Sequence, residues 1–184
     1  LRRLEQLGMG DSSAKIPTGL WVDHLFRAGR HTRELPAGFY ARRLELGGSA
    51  VETIPEGLYA DELVLGVRPW PGDQSAHRRR GAITSLPARR FANVLHLHGS
   101  GVRTIPSGLV TDTLILDERR PQELPDVVHA KDVIMYEPHD VLRGRTIEGN
   151  LRFRCPPKPL PPGLVVKGSI YWQEPYLDYY YFPN

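Results

Sequence analysis

The chain has 184 residues, of which 40% are hydrophobic and 24% are charged, and its formal net charge is +3. This composition is typical of one globular domain and excludes a disordered chain. No apolar run reaches the roughly 18 to 20 residues that a bilayer crossing needs. The single cysteine, Cys155, excludes an internal disulfide framework and favours a reducing compartment.

The first fifteen residues predict an N-terminal cap. Leu1, Leu4 and Leu7 are spaced for one face of a short helix. The segment shows neither the continuous apolar centre nor the small-residue cleavage site of a signal peptide. We therefore expect residues 1–15 to cover the first element of the domain that follows.

A short phrase that ends in an aliphatic residue and proline recurs along the chain, as in "TIPEGLYADELVLG" from Thr53 and "TIPSGLVTDTLILD" from Thr104. It occurs at Ile16-Pro17, Leu35-Pro36, Ile54-Pro55, Leu86-Pro87, Ile105-Pro106, Leu124-Pro125 and Leu160-Pro161. The spacings are 19, 19, 32, 19, 19 and 36 residues. A fixed period near 20 predicts a solenoid, in which each turn packs only on its neighbours.

The two irregular spacings have separate explanations. The gap of 32 contains an insertion near residues 68–82, rich in turn-forming residues. The gap of 36 hides a degenerate turn that begins near Val141, because "IEGNLRF" at 147–153 matches "VKGSIYW" at 166–172. The chain therefore predicts about eight turns.

Each turn contains a pair of leucines separated by one residue, such as Leu44 and Leu46. This alternation predicts a short strand with both leucines in the core and the residue between them facing out. The glycine of the "PxGL" phrase can then supply a positive φ that bends the chain. The positions are Gly19, Gly38, Gly57, Gly108 and Gly163.

The pattern "LxLxxxxVxxIPxxL" resembles the leucine-rich repeat, and the short "LPxGL" turns look like those of bacterial type III effectors. The resemblance covers residues 16–173. It implies a curved coil with a parallel β-sheet on the concave face, an irregular or 3-10 convex side and little helix. The family's asparagine, which ties neighbouring turns together, is replaced here, and we expect a less regular coil with the arginines turned outward. The replacing residues are Arg30, Ser49, Arg68, Ser100 and Arg119.

Residues 174–184 are rich in tyrosine and predict an aromatic C-terminal cap. A contact surface for a partner is the alternative interpretation of this segment.

Catalytic and metal-binding patterns are weak. The chain has no G-x-S-x-G nucleophile motif and no phosphate-binding glycine loop. Cys155 alternates with Leu151 and Phe153, which predicts a small residue packed in the core. His96 and His98 are expected on one exposed strand face, but the usual number of zinc ligands is not reached. We therefore expect no metal, no cofactor and no enzymatic activity.

The outward residues of successive strands form rows that predict a protein-binding face. The candidate contact residues are Arg43, Glu45, Glu62, Val64, His96, His98, Ile115, Asp117, Ile134, Tyr136 and Arg152, with Trp70 in the insertion as a second candidate. The rows are expected to start at Phe26 and to continue to Arg154 and Tyr171.

The resemblance implies that a bacterial effector recognises a substrate or host protein through this face. Such a protein would be cytoplasmic or secreted into a host cell, and no membrane partner is expected. One alternative is the recognition domain of a larger ubiquitin-ligase effector. Another is sequence-independent nucleic-acid binding through arginine clusters, such as Arg78 to Arg80. The sequence leaves the oligomeric state and the identity of the partner open.

Overall fold

The computed structural model describes residues 2–10, 14–66, 81–117 and 120–172, with only the backbone of Arg2. Eleven short strands account for the regular structure of these ranges. They are β1 (Arg2–Gly8), β2 (Leu20–Arg27), β3 (Tyr40–Glu45), β4 (Tyr59–Val64), β5 (Ala92–His96), β6 (Val110–Ile115), β7 (Val127–Met135), β8 (Thr146–Ile147), β9 (Asn150–Phe153), β10 (Val165–Val166) and β11 (Ile170–Trp172). Helical structure in the described part of the chain is limited to one 3-10 turn, Asp140–Leu142.

The strands form a parallel solenoid. β1 to β7 pair successively in chain order, β9 then pairs with the second half of β7, and β11 pairs with β9. β8 and β10 extend a second ladder from the start of β7. Eight turns thus join the nine strands of the main ladder, which confirms the predicted coil.

The strand register follows the sequence period. Leu44 pairs with Leu63, nineteen residues later. Leu63 pairs with Leu95, so the longer connection between β4 and β5 leaves the register unchanged. Residues 67–80, which contain most of the predicted insertion, lie outside the described residues, as does the predicted cap at 174–184.

The degenerate turn is aligned as the sequence predicts. Ile147 pairs with Val166, and Leu151 pairs with Ile170, nineteen residues later. The repeat therefore continues through the stretch in which its Leu-x-Leu pattern is weakest.

One column of side chains fills the coil, with one residue from each successive strand and none exposed to solvent. It consists of Phe26, Leu44, Leu63, Leu95, Leu114, Val133 and Leu151. Leu46, the second leucine of its pair, is also buried, as predicted. Burial of each leucine contributes about 1.5 to 3 kcal/mol, so the column makes a large contribution to the coil's stability.

The helix predicted near the N-terminus is wrong, because residues 2–8 form strand β1. The backbone of β1 pairs in parallel with the free edge of β2, which satisfies the hydrogen-bonding groups on one side of β1 without a helix. Leu4 is 42% exposed while Leu7 is only partly buried. The leucine spacing therefore does not correspond to a buried helical face.

The outward position predicted for Phe26 is also wrong, because its side chain is completely buried. β2 carries one extra residue between Val22 and Leu25 relative to β3. Such a bulge reverses the faces of all following side chains. Phe26 consequently points into the core against Phe39, and Arg27 takes the outward position beside Glu45.

Four of the five "PxGL" glycines have a positive φ of 67° to 75°, namely Gly19, Gly38, Gly57 and Gly163. Gly108 does not, contrary to the prediction. A Cβ at Gly108 would lie 2.9 Å from the carbonyl oxygen of Ala88 in the preceding turn. This glycine therefore permits close contact between turns instead of a left-handed bend.

Cys155 is buried, as predicted, and its burial raises the pKa of the thiol. Because the thiolate is the reactive form, we expect iodoacetamide to alkylate the folded protein at least about a hundredfold more slowly than the urea-unfolded chain. Mass spectrometry of timed samples measures this difference, and a Cys155→Ser variant supplies the blank. Equal rates in the two states would contradict the burial.

Candidate functional site

The outward face consists of the side chains of the main ladder that point away from the core. Two rows follow the register across the strands. The first row is Arg43, Glu62, Val94, Thr113, Asp132 and Asn150, and the second is Arg27, Glu45, Val64, His96, Ile115, Ile134, Arg152 and Tyr171. Adjacent strands are about 4.8 Å apart, so most of the predicted contact residues lie in one continuous surface.

The N-terminal half of this face carries a chain of alternating charges. Arg27 Nε lies 2.7 Å from Glu45, and Arg43 contacts both Glu45 and Glu62 at 3.0 Å. His96 Nε2 lies 2.8 Å from the other oxygen of Glu62. Partly exposed pairs of this kind each contribute about 0 to 1 kcal/mol. Their larger effect is to hold long side chains in fixed positions.

His96 and Ile115 are less accessible than the sequence predicts. They are only 8% and 9% exposed, because the side chains of neighbouring strands cover their flanks. His98 is partly exposed, so the expected pair of open imidazoles does not form. The accessible apolar surface comes instead from residues beside them, namely Val64, Val94, Ile134 and Tyr136.

Asp117 ties two turns together. Its carboxylate accepts hydrogen bonds from the backbone N–H of Gly99 at 2.7 Å and of Arg120 at 3.1 Å. This is the kind of role that the leucine-rich repeat gives to asparagine. Ser49 also acts locally, since its buried hydroxyl donates to the carbonyl of Leu46.

Of the arginines predicted to turn outward in place of asparagine, Arg30 is exposed as expected. Arg68 and Arg119 lie outside the described residues, and so does Trp70.

The C-terminal end of the outward face combines arginine with tyrosine. Arg152 Nε donates to Asp132 at 2.5 Å, and Asn150 donates to the same oxygen at 3.2 Å. The guanidinium carbon of Arg152 lies 4.3 Å from the ring centre of Tyr171. Tyr171 and Tyr136 are both 41% exposed. This end therefore offers open aromatic surface beside a fixed cation.

A second surface, absent from the sequence-based set, is an aromatic column on the first halves of β2, β3 and β4. Trp21 and Tyr40 stack with ring centres 3.9 Å apart, and Tyr40 and Tyr59 are parallel at 6.5 Å. Burial raises the pKa of Tyr40, and its hydrogen bond to Asp61 raises it further. Because the ring of Trp21 lies against one face of Tyr40, this pair links two adjacent turns.

The sequence did contain a signal for this column. An aromatic residue follows "PxGL" or "PxGF" directly at 21, 40 and 59, at the period of the repeat.

The described side chains do not form a cluster of three or more histidine, cysteine, aspartate or glutamate residues suited to a metal ion. Within the same ranges, no helix has the length and apolar character needed to span a bilayer. Comparison with protein-family models, curated proteins and solved structures finds no significant match.

Proposed function

We propose that this chain is a protein-recognition module that binds a protein partner through its outward face and performs no chemistry of its own. The observation that carries the proposal is the arrangement of that face. Val64, Val94 and Ile134 lie at its centre, and ion pairs flank them on both sides. An apolar centre with a polar rim is the usual anatomy of a protein interface.

The dimensions of the face agree with this use. The seven strands from β3 to β7, β9 and β11 span roughly 30 Å at about 4.8 Å per strand. A standard interface of about 800 Å² per partner fits on such a surface. The paired side chains also lose little further entropy when a partner docks, which favours binding.

The finer proposal is that the chain is the leucine-rich recognition part of a bacterial effector that binds a host protein. It rests on the in-register leucines and the "LPxGL" phrases. An alternative form of this proposal is that a longer protein carries a ubiquitin-ligase domain. This chain would then select the substrate of that domain.

Nucleic-acid binding is less well supported, because many described arginines already contact carboxylates. The pairs are Arg3–Asp23, Arg27–Glu45, Arg43–Glu62, Arg90–Asp112, Arg143–Asp140, Arg145–Asp126 and Arg152–Asp132. Phosphates would have to displace these carboxylates, so these arginines do not form an open basic surface. The cluster Arg78 to Arg80 lies outside the described residues.

We expect a variant with Val94→Thr, Ile134→Thr and Tyr136→Ser to bind the partner at least about tenfold more weakly than the wild type. The immobilised chain would first capture proteins from a eukaryotic cell lysate, as the expected host. The purified partner would then be titrated against each variant by calorimetry. The three changes remove accessible apolar area from the centre of the face and from Tyr136 beside it, and none of the three residues belongs to the buried core.

The matched control changes three exposed apolar residues elsewhere, with Val110→Thr, Val127→Thr and Leu160→Thr. This control should bind as the wild type does. Equal loss in both variants, or unchanged binding in the first, would contradict the proposal. Capture of mainly nucleic acid, lost steeply as salt rises, would favour the alternative.

A further inference from the structure

We infer that two copies of this chain associate edge to edge through strand β1, which pairs antiparallel with β1 of the second copy in the register that places the two Leu4 residues opposite each other. The strands of both copies would then form one continuous sheet around a two-fold axis. This inference goes beyond the proposed function and does not depend on it, because the partner in this contact is a second copy of the same chain.

Strand β1 lies at the N-terminal edge of the main ladder. Of the described strands, only β2 pairs with β1, and it does so along one side. A strand at the edge of a sheet presents a row of backbone N–H and C=O groups to which another strand can add. Proteins often prevent this addition by keeping the edge strand very short, whereas β1 has seven residues. Its backbone is therefore long enough to accept a further strand.

Leu4 provides accessible apolar surface at the same edge. It pairs with Val22, whose side chain is completely buried in the core, so Leu4 belongs to the inner side of the sheet. Leu4 is nevertheless 42% exposed. Residues directly opposite in an antiparallel pair share one side of the sheet, with Cβ atoms about 4.5 to 5.5 Å apart. In the proposed register, the two Leu4 side chains would therefore cover each other.

The charges of β1 favour a second copy of the same strand as the occupant of this edge. Arg3 and Glu5 flank Leu4, and both are exposed. Because antiparallel pairing reverses one strand, Arg3 of each copy lies opposite Glu5 of the other. Two cross-strand pairs of opposite charge result, and such pairs stabilise a sheet. Arg3 donates from Nε to Asp23 at 2.6 Å, yet its side chain is 76% exposed and its terminal N–H groups can serve a second carboxylate.

The same charges disfavour a shifted register. Charged side chains on an edge strand usually prevent pairing, because like charges meet when strands add at random. Antiparallel pairing centred on Glu5 would place the two Glu5 carboxylates directly opposite each other, which is destabilising. The register centred on Leu4 is therefore preferred over this one.

The contact is small, so we expect a weak and reversible dimer. A standard interface buries about 800 Å² per partner, and the edge of a single strand buries less. We expect a dissociation constant of about 100 µM. In the dimer, two outward faces would lie in one sheet, and a partner with two matching segments would bind more tightly than to one copy.

The test is sedimentation equilibrium of the full chain at protein concentrations up to about 0.5 mM, which should show a monomer–dimer equilibrium. Glu5→Arg should weaken the dimer by at least about tenfold, because it places arginine opposite arginine. Arg3→Glu should do the same by placing glutamate opposite glutamate. This second variant also carries Asp23→Asn, so that two carboxylates do not meet within one chain.

An equimolar mixture of the two variants should form a heterodimer as readily as the wild type forms its dimer. In the mixture, the two glutamates of one variant lie opposite the two arginines of the other. The matched control is Glu52→Arg, which makes the same change of charge at an exposed residue outside β1 and should leave the wild-type equilibrium unchanged. Circular dichroism confirms that each variant is folded.

Four results would overturn the inference. The first is a wild type that stays monomeric over the whole range of concentrations. The second is a series of growing species, which indicates head-to-tail association instead of a closed dimer. The third is a Glu5→Arg variant that dimerises as the wild type does. The fourth is a mixture with no more dimer than either variant forms alone. The proposed function stands in each of these cases, because none of them involves its partner.

Discussion

Replacement of Phe26 by alanine is expected to lower the free energy of unfolding by about 3 to 5 kcal/mol. The side chain is completely buried and contacts Phe39 edge to face, with ring centres 5.0 Å apart. Its removal leaves a cavity in the central column between β1 and β3, which a paired backbone cannot close. Urea unfolding followed by circular dichroism measures the change.

The matched control is Tyr136→Ala, which removes an aromatic ring that is 41% exposed. It should cost less than about 1 kcal/mol. The comparison distinguishes the register of β2 with the bulge from a register without it. If Phe26 pointed outward, its replacement by alanine would lower the free energy of unfolding as little as Tyr136→Ala does. A small effect at Phe26 would therefore contradict the bulge between Val22 and Leu25.

Gly149→Ala is expected to destabilise the coil by about 3 kcal/mol or more. Gly149 lies between β8 and β9, directly against the backbone of the preceding turn. A Cβ placed there would lie 2.1 Å from the carbonyl oxygen of Lys131 and 2.4 Å from that of Ala130. Both atoms belong to strand β7 and cannot rotate away as a flexible side chain would. The two turns must separate, which weakens the ladder on either side.

Gly8→Ala provides the control, because a Cβ at Gly8 meets no atom within 4 Å and the residue has no positive φ. We expect its stability to remain within about 0.5 kcal/mol of the wild type. Unfolding curves in urea, compared at equal protein concentration, distinguish the two glycines. Similar midpoints would show that the turns are not in such close contact at Gly149.

The repeat period was sufficient to predict the architecture. The spacing of 19 residues is also the offset between paired strands, as for Leu44 and Leu63. The degenerate turn was predictable for the same reason, because Leu151 and Ile170 keep that offset although the Leu-x-Leu pattern is lost.

Local departures from the period were harder to predict. One extra residue in β2 reverses the faces of Phe26 and Arg27, and the sequence around it contains no glycine or proline that would mark a bulge. The N-terminal strand was missed because Leu1, Leu4 and Leu7 fit a helical spacing, whereas the deciding factor is the free edge of β2. At the N-terminus, strand pairing therefore outweighed the helical spacing of the leucines.

The sequence predicted which residues of the candidate site lie in the outward rows. It did not predict which of these side chains are accessible to a partner. His96 and Ile115 occupy the expected positions, yet adjacent strands cover them. Similarly, the carboxylate of Asp117 accepts a hydrogen bond from the backbone of Gly99 in the preceding turn. Accessibility and side-chain pairing depend on what lies one turn above and below, which a single strand's sequence does not specify.

Within the described ranges, the turns of this coil pack mainly on the turns before and after them. In such quasi-one-dimensional assemblies, stability is approximately a sum over the turns and their contacts, so neighbouring turns can open while the others stay folded. Opening of β9 and β11 alone would remove Arg152 and Tyr171 from the outward face and leave the ion pair of Arg43 and Glu62 in place. Binding to the outward face would therefore depend on the local stability of single turns as well as on the stability of the whole coil.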